Sequence, residues 1–293
     1  MNDTTMDLIN AINQSGGLKI QMTAVQDWSQ FWLLLIITIM GSIFVIIYLA
    51  MMLKPQISNI FIWFKLRKIK NLTGRNILLI KHTSNELFSQ SMIDTKTLEN
   101  IRIAIAKFKG KPFDLILHTP GGSIFAAQLI SKLIQKYPGV VRAIVPVYAM
   151  SGGSFLALSC DIILLGNTAA MGAIDPQIGY LWHYGSAKSW EEVIKKKHGK
   201  ADDGSIQMAY TGKQYSQTLF KWVSDVLVDK IPDEQVRKRA ATFLTDGNIE
   251  HGRPLMICDL NELGIPVLDL DDKITDLINP ILNNNLYEGE YWI

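Results

Sequence analysis

Ser151 stands in the stretch VYAMSGGSFLALSCDIILLG, residues 147–166, where a strand-like apolar run gives way to a helix-like one. A hydroxyl at such a junction lies beside backbone N–H groups that have no acceptor inside the helix, which suits a nucleophile that generates an oxyanion. Two glycine pairs accompany it, Gly121 and Gly122 in LHTPGGSIF and Gly152 and Gly153 in MSGGSF. Lacking side chains, they let a substrate carbonyl approach main-chain donors, as an oxyanion hole requires. Phosphate binding is the poorer account, because neither G-x-x-x-x-G-K-[ST] nor G-x-G-x-x-G occurs. The histidines are scattered singly, without a second ligand at helical spacing, so no metal site and no cofactor are expected. These residues suit acyl transfer from a carbonyl substrate to serine.

The elements that must position them alternate along the chain. NILLIKHT (76–83) reads as a strand, DTKTLENIRIAIAKFKG (94–110) as a helix capped by Asp94 and ended by Gly110, and FDLILHT (113–119) as a strand. SIFAAQLISKLIQKY (123–137) is helical, VVRAIVPVYA (140–149) a strand, SFLALSC (154–160) a short helix and DIILLG (161–166) a strand. The alternation predicts right-handed βαβ units around a mainly parallel sheet, hence an α/β fold. Ligands of such sheets gather at the carboxyl ends of the strands, where both glycine loops fall. Further on, KQYSQTLFKWVSDVLVDKI (213–231) and DEQVRKRAATFL (233–244) predict helices, and NELGIPVLDL (261–270) a helix end and a last strand. Residues 185–212 read as a polar insertion in which Lys195, Lys196, Lys197 and Lys200 form a solvated face; a mobile lid is the other reading.

The chain has 293 residues, 48% of them hydrophobic, ample for a packed core. A net charge of +2 gives no reason to expect nucleic acid as a partner. The two cysteines, Cys160 and Cys258, form neither a C-x-x-C nor a zinc pattern. Residues 31–53, FWLLLIITIMGSIFVIIYLAMML, carry no charge, and as a helix they would span roughly 35 Å against a hydrocarbon core of about 30 Å. They predict a transmembrane helix rather than a cleaved signal peptide, since no basic segment precedes the run and no small-x-small site follows it. Residues 1–30 contain Asp3, Asp7, Asp27 and one Lys19, whereas 54–75 contain Lys54, Lys65, Arg67, Lys68, Lys70 and Arg75 with no acid. That bias predicts an extracytoplasmic segment at 1–30, a basic juxtamembrane segment at 54–75, and a cytoplasmic domain at 76–293 attached to the inner membrane. Ile57, Ile60, Phe61 and Phe64 recur at helical spacing beside Trp63, which suits a helix lying on the inner leaflet; a stiff basic linker is the alternative.

HTPGGSIFAAQLI, AMSGGSFLALSCDIILLG and MGAIDPQIG, in this order, resemble the Clp/crotonase-fold serine proteases, most closely the membrane-anchored family called serine dehydrogenase proteinases. These are relatives of signal peptide peptidase A and of the stomatin-associated membrane protease, and the similarity covers roughly residues 76–275. The resemblance implies a Clp/crotonase-like fold of repeated ββα and βαβ units. It implies Ser151 as nucleophile, with an oxyanion hole from Gly152 and the Gly121–Gly122 loop. The histidine of soluble Clp proteases would fall in AIDPQ, where Asp175, Pro176 and Gln177 stand instead, so a Ser-His-Asp triad of that kind is not expected. Relatives of signal peptide peptidase A use a lysine at the start of the long helix after the sheet, which points to Lys213 in TGKQYSQ as general base. A lysine in that role must be neutral, so its surroundings would have to lower its pKa.

Ser154 would then contact the Lys213 amine, and Asp175 would sit near the cleft. His118 would orient the glycine loop or bind substrate, with a structural role as the alternative. His251, in TDGNIEHGRP, resembles the family's GKYTHDYPI-like segment and takes an unassigned cleft-side role. Implied partners are a peptide or protein substrate, the membrane, and further copies of the chain in a homo-oligomer. Two other functions share the fold: a catalytically silent membrane scaffold, and a crotonase-like acyl-CoA enzyme. Serine at position 151 speaks against the first, and that serine with the anchor against the second.

Overall fold

The computed structural model describes residues 3–82, 84–85, 89–180, 182–197, 199–283 and 289–293. It divides into two units, residues 1–57 and 58–293. The first helix, α1 (Asp3–Thr73), contributes to both. In the first unit, Gln30–Ala50 is long and apolar enough to cross a membrane, with a mean hydropathy of 2.8. The side chains of Ile57 and of the charged residues Asp3, Lys19 and Asp27 lie outside the described residues.

The second unit is built on a six-stranded sheet, and its elements follow in order. They are β1 (Asn76–Lys81), β2 (Ser84–Asn85), β3 (Ser89–Gln90), α2 (Thr95–Phe108), β4 (Phe113–His118), α3 (Ile124–Gln135), β5 (Val141–Val145), β6 (Tyr148–Ala149) and α4 (Gly152–Ser159). Then come β7 (Ile162–Leu165), β8 (Ala170–Met171), β9 (Gln177–Tyr180), β10 (His183–Ser186), α5 (Ala187–Lys197), α6 (Asp203–Val226) and α7 (Glu234–Thr245). The last are α8 (Ile257–Glu262), β11 (Leu268–Asp269), α9 (Asp272–Leu282) and β12 (Gly289–Trp292). The sheet order is β11-β7-β5-β4-β1-β12, parallel throughout except for β12, which runs antiparallel to β1.

Both faces of the sheet are covered, which is why its central strands read as continuous apolar runs. Leu78, Ile80, Leu115 and Leu117 point into the larger core, formed with α2, α3, α4, α6, α7 and α8. Their neighbours Ile77, Leu79, Ile116 and Ile144 point into a second core with α9 and the end of α1. There Ile62, Leu66 and Ile69 are buried at i, i+4 and i+7, while Ile60, Trp63 and Phe64 remain exposed. The expected juxtamembrane helix is therefore part of the folded unit, and its most buried stripe is not the one its apolar spacing suggested.

Local chemistry sets most of the boundaries. Asp94 caps α2 by accepting from the Thr97 N–H at 2.8 Å, and the helix ends in left-handed Lys109, φ 52°, before Gly110. The strand expected over 140–149 breaks at Pro146, which has no N–H to continue a ladder, and β6 instead pairs with β8. The long helix α6 begins at Asp203, with Asp202 as its cap, ten residues before its expected start at 213. Gly212 is not a helix boundary but a packing point: a Cβ there would lie 2.8 Å from the Ala187 Cβ on α5. The expected insertion is accordingly a hairpin strand, a helix and the first turns of α6; His198 within it lies outside the described residues, as does Thr83 at the end of the first expected strand.

Candidate active site

Ser151 precedes the first residue of α4 and has φ 50° and ψ −117°. A non-glycine residue held there stores local strain, and its side chain makes no capping bond to its own helix. The turn is locked from both sides: Met150 N–H donates to the Thr119 carbonyl at 2.9 Å, and Gly153 N–H to the Met150 carbonyl at 2.7 Å. Gly152, the first helical residue, has an N–H with no acceptor inside the helix.

The opposing loop is equally constrained. Ile93 N–H donates to the Gly121 carbonyl at 2.8 Å, and Ser123 N–H donates to the Ile93 carbonyl at 2.7 Å. In this parallel bridge Gly122 is the paired residue, so its own N–H points away from Ile93. Side chains would not fit at either glycine: a Cβ on Gly121 would lie 2.7 Å from the Ser151 Cβ, and one on Gly122 would overlap the Ile93 carbonyl oxygen. The Gly121 N–H is engaged with the Thr119 hydroxyl at 3.2 Å. Gly122 and Gly152 thus keep N–H groups turned away from these loop hydrogen bonds beside Ser151, and Gly121 is there because nothing larger fits.

Ser151, Gly121, Gly122 and Gly152 line a cavity of about 230 Å³ together with Asp175 and His251. The His251 Nδ1 lies 2.6 Å from one Asp175 carboxylate oxygen, and the Gln177 amide donates to the other at 2.7 Å. Asp175 is buried and His251 about one-third exposed. Backbone pairing brings these distant residues together. Met171 and Leu255 exchange both backbone hydrogen bonds, at 3.0 and 2.8 Å, and Ile174 N–H donates to the Leu244 carbonyl at 2.6 Å. Gly247 lies beside this pair with φ 69°, a left-handed conformation that favours glycine, and a Cβ there would crowd the Lys188 Cβ at 3.1 Å. With Nδ1 held by the carboxylate, Nε2 is the nitrogen left to exchange a proton. Met92, Ile124, Phe155, Ile174 and Leu219 give the cavity an apolar wall.

A family model for ClpP-like SDH-type serine proteinases matches residues 28–283. The chain belongs to this family. Protein MJ0137 of Methanocaldococcus jannaschii is 32% identical over 223 residues, covering 74% of this chain and 76% of its own. Among solved structures, the 1510-N membrane-bound stomatin-specific protease shares 16% identity over 68% of this chain and 87% of its own, with a TM-score of 0.45. ClpP1 from Listeria monocytogenes shares 12% over 68% and 94%, with a TM-score of 0.42.

The other residues singled out in the proteinase lie elsewhere. Lys213 is solvent-exposed on α6, past its first turns, and is not among the residues lining the cavity. The Ser154 hydroxyl is buried and occupied, donating to the Ala149 carbonyl at 2.7 Å and accepting from Gly172 N–H at 2.9 Å; it ties α4 to the β6–β8 pair and does not contact the Lys213 amine. His118 is buried with its ring 4.2 Å from that of Tyr148, outside the cavity lining. Burial, then electrostatic interaction with Lys81 and His82, pushes its pKa down to about 4, so it is neutral at pH 7. Thr119 and Gly247 were given no role from the sequence, and Gln177 was named only for standing where a Clp histidine would fall; the TDGN turn before His251 contains Gly247 and is the nearest local signal.

Proposed function

We propose that this serine proteinase hydrolyses peptide bonds through an acyl-enzyme, with Ser151 as nucleophile, His251 as general base and Asp175 orienting His251. The observation that carries the proposal is the 2.6 Å His251–Asp175 pair lining the same cavity as the strained Ser151. Attack of the Ser151 Oγ on the substrate carbonyl carbon passes the hydroxyl proton to His251 Nε2. The oxygen, now negative, accepts from the Gly122 and Gly152 N–H groups. Collapse breaks the C–N bond as His251 protonates the departing amine. Water then attacks the ester, gives its proton to His251, and Ser151 recovers a proton as its C–O bond breaks.

Asp175 occupies the segment in which the Clp resemblance places a histidine, and the histidine comes from the later turn. The Ser151–Lys213 dyad is the second reading, and it requires the exposed Lys213 to reach the cavity and lose its proton. Fluorophosphonate labelling of the wild type and of Ser151→Ala, His251→Ala and Lys213→Ala decides between them. Loss in the first two variants with retention in the third supports the histidine base; the reverse pattern for His251 and Lys213 supports the dyad, and an unlabelled wild type supports a silent scaffold.

The apolar run within residues 31–53 and the basic excess of 54–75 support a single-pass anchor with a cytoplasmic catalytic domain. Substrates are then unfolded or membrane-adjacent polypeptide segments, and the fold favours self-association into an oligomer.

A further inference from the structure

A chain of buried polar groups runs behind the oxyanion loop. Thr119, with no exposed surface, directly precedes Pro120, Gly121 and Gly122. Its hydroxyl oxygen accepts from Gly121 N–H and lies 3.2 Å from His82 Nδ1. The other ring nitrogen, Nε2, lies 3.0 Å from a Glu290 carboxylate oxygen. Glu290 also accepts from the Thr97 hydroxyl at 2.6 Å and from the Asn100 amide at 2.9 Å. The end of β1, helix α2 and strand β12 thereby converge on one active-site loop.

The carboxylate end of this chain has a fixed direction. Burial pushes the Glu290 carboxyl up, but hydrogen bonds from His82, Thr97 and Asn100 outweigh it and hold the pKa at about 2. An ionised carboxylate only accepts, so His82 Nε2 carries a proton. Nδ1 lies within hydrogen-bonding distance of the Thr119 hydroxyl, whose oxygen in turn accepts from Gly121 N–H. The loop amide is thereby tied through Thr119 to the His82–Glu290 pair. The order hydroxyl, imidazole, carboxylate is that of a hydrolytic triad, yet Thr119 and His82 are sealed from substrate, so the arrangement orients rather than reacts.

We propose that Glu290, His82 and Thr119 are positioning residues that hold the Gly121 amide and thereby leave the Gly122 N–H as the donor aimed at the oxyanion of the Ser151 reaction. The proposal rests on the hydrolase reading above for its catalytic consequence, but not for the geometry it predicts.

The test uses the full chain in detergent, in the wild type and in Thr119→Val, Thr119→Ser and Glu290→Gln. Its readouts are the rate of fluorophosphonate attack on Ser151, the probe concentration for half-saturation, hydrogen exchange of the Gly121 amide, and the melting temperature. Removing one oxyanion donor costs around 10²- to 10³-fold, so misaligning one should slow labelling by about 10- to 100-fold in Thr119→Val and Glu290→Gln. Half-saturation should stay put, Gly121 exchange should quicken, and Thr119→Ser should behave as wild type. Unchanged labelling and exchange in Thr119→Val would overturn the proposal, as would Thr119→Ser matching Thr119→Val, which would mean packing alone. If Thr119→Val does not fold, Glu290→Gln decides by the same readouts. Should the wild type resist labelling, the hydrolase reading fails by itself, and Gly121 exchange in Glu290→Gln still judges the relay: faster exchange supports it and unchanged exchange removes it.

Discussion

Ser151 carries its hydroxyl on a backbone that side chains rarely adopt, and its place at a strand-to-helix turn beside two glycines was legible in the sequence. The His251–Asp175 pair was not. Lys213, expected at the start of a helix, lies ten residues into α6 and is solvent-exposed. The His251–Asp175 pair spans 76 positions, and no local spacing rule relates residues joined by backbone pairing far away in sequence. Replacing His251 by alanine should lower the hydrolysis rate at least about 10²-fold, the usual scale for losing a general base, with KM little changed. Lys213→Ala should retain the wild-type rate. Steady-state kinetics on a peptide ester distinguishes the two, and an inactive Lys213→Ala with an active His251→Ala would reverse the assignment.

At the scale of elements, β1, α2, β4, α3 and β7 were readable because caps, apolar periodicity and strand runs agreed at each. α9 and β12 were missed: a proline sits inside the first, and the second is a four-residue edge strand without an apolar run. The loop between β4 and α3 tolerates least change. Gly122→Ala forces a Cβ against the Ile93 carbonyl at φ 149°, so the loop must shift away from Ser151. The expected result is loss of labelling by about 10²-fold or more, on the scale of a lost oxyanion donor. A fall in melting temperature of only a few degrees should accompany it, because the loop lies at the edge of the core. Labelling at the wild-type rate would show that Gly122 is not part of the oxyanion hole.

For the molecule as a whole, acid should weaken the folded state in two successive windows. The depressed pKa of His118 means that the unfolded chain takes up a proton which the folded one refuses, so stability falls as pH drops from 6.5 toward about 4. The lowered pKa of Glu290 adds a loss between 4.5 and about 2, where the unfolded carboxylate is protonated first. The His118 contribution is about 3 kcal/mol at its full extent. Melting curves across pH 7 to 4 should show the decline, and His118→Phe should flatten the upper window; an unchanged slope would mean that His118 is charged in the folded protein.

The second core bears on how a water-soluble catalytic fragment can be prepared. Residues 58–73 share with α9 the cover over Ile77, Leu79, Ile116 and Ile144, so a cut at the apparent domain start, residue 76, would strip Ile62, Leu66 and Ile69 from that core and leave it half covered. A fragment beginning at 76 should aggregate on expression. One beginning at 58 loses the apolar run and keeps its cover, and it should stay dispersed without detergent while still reacting at Ser151.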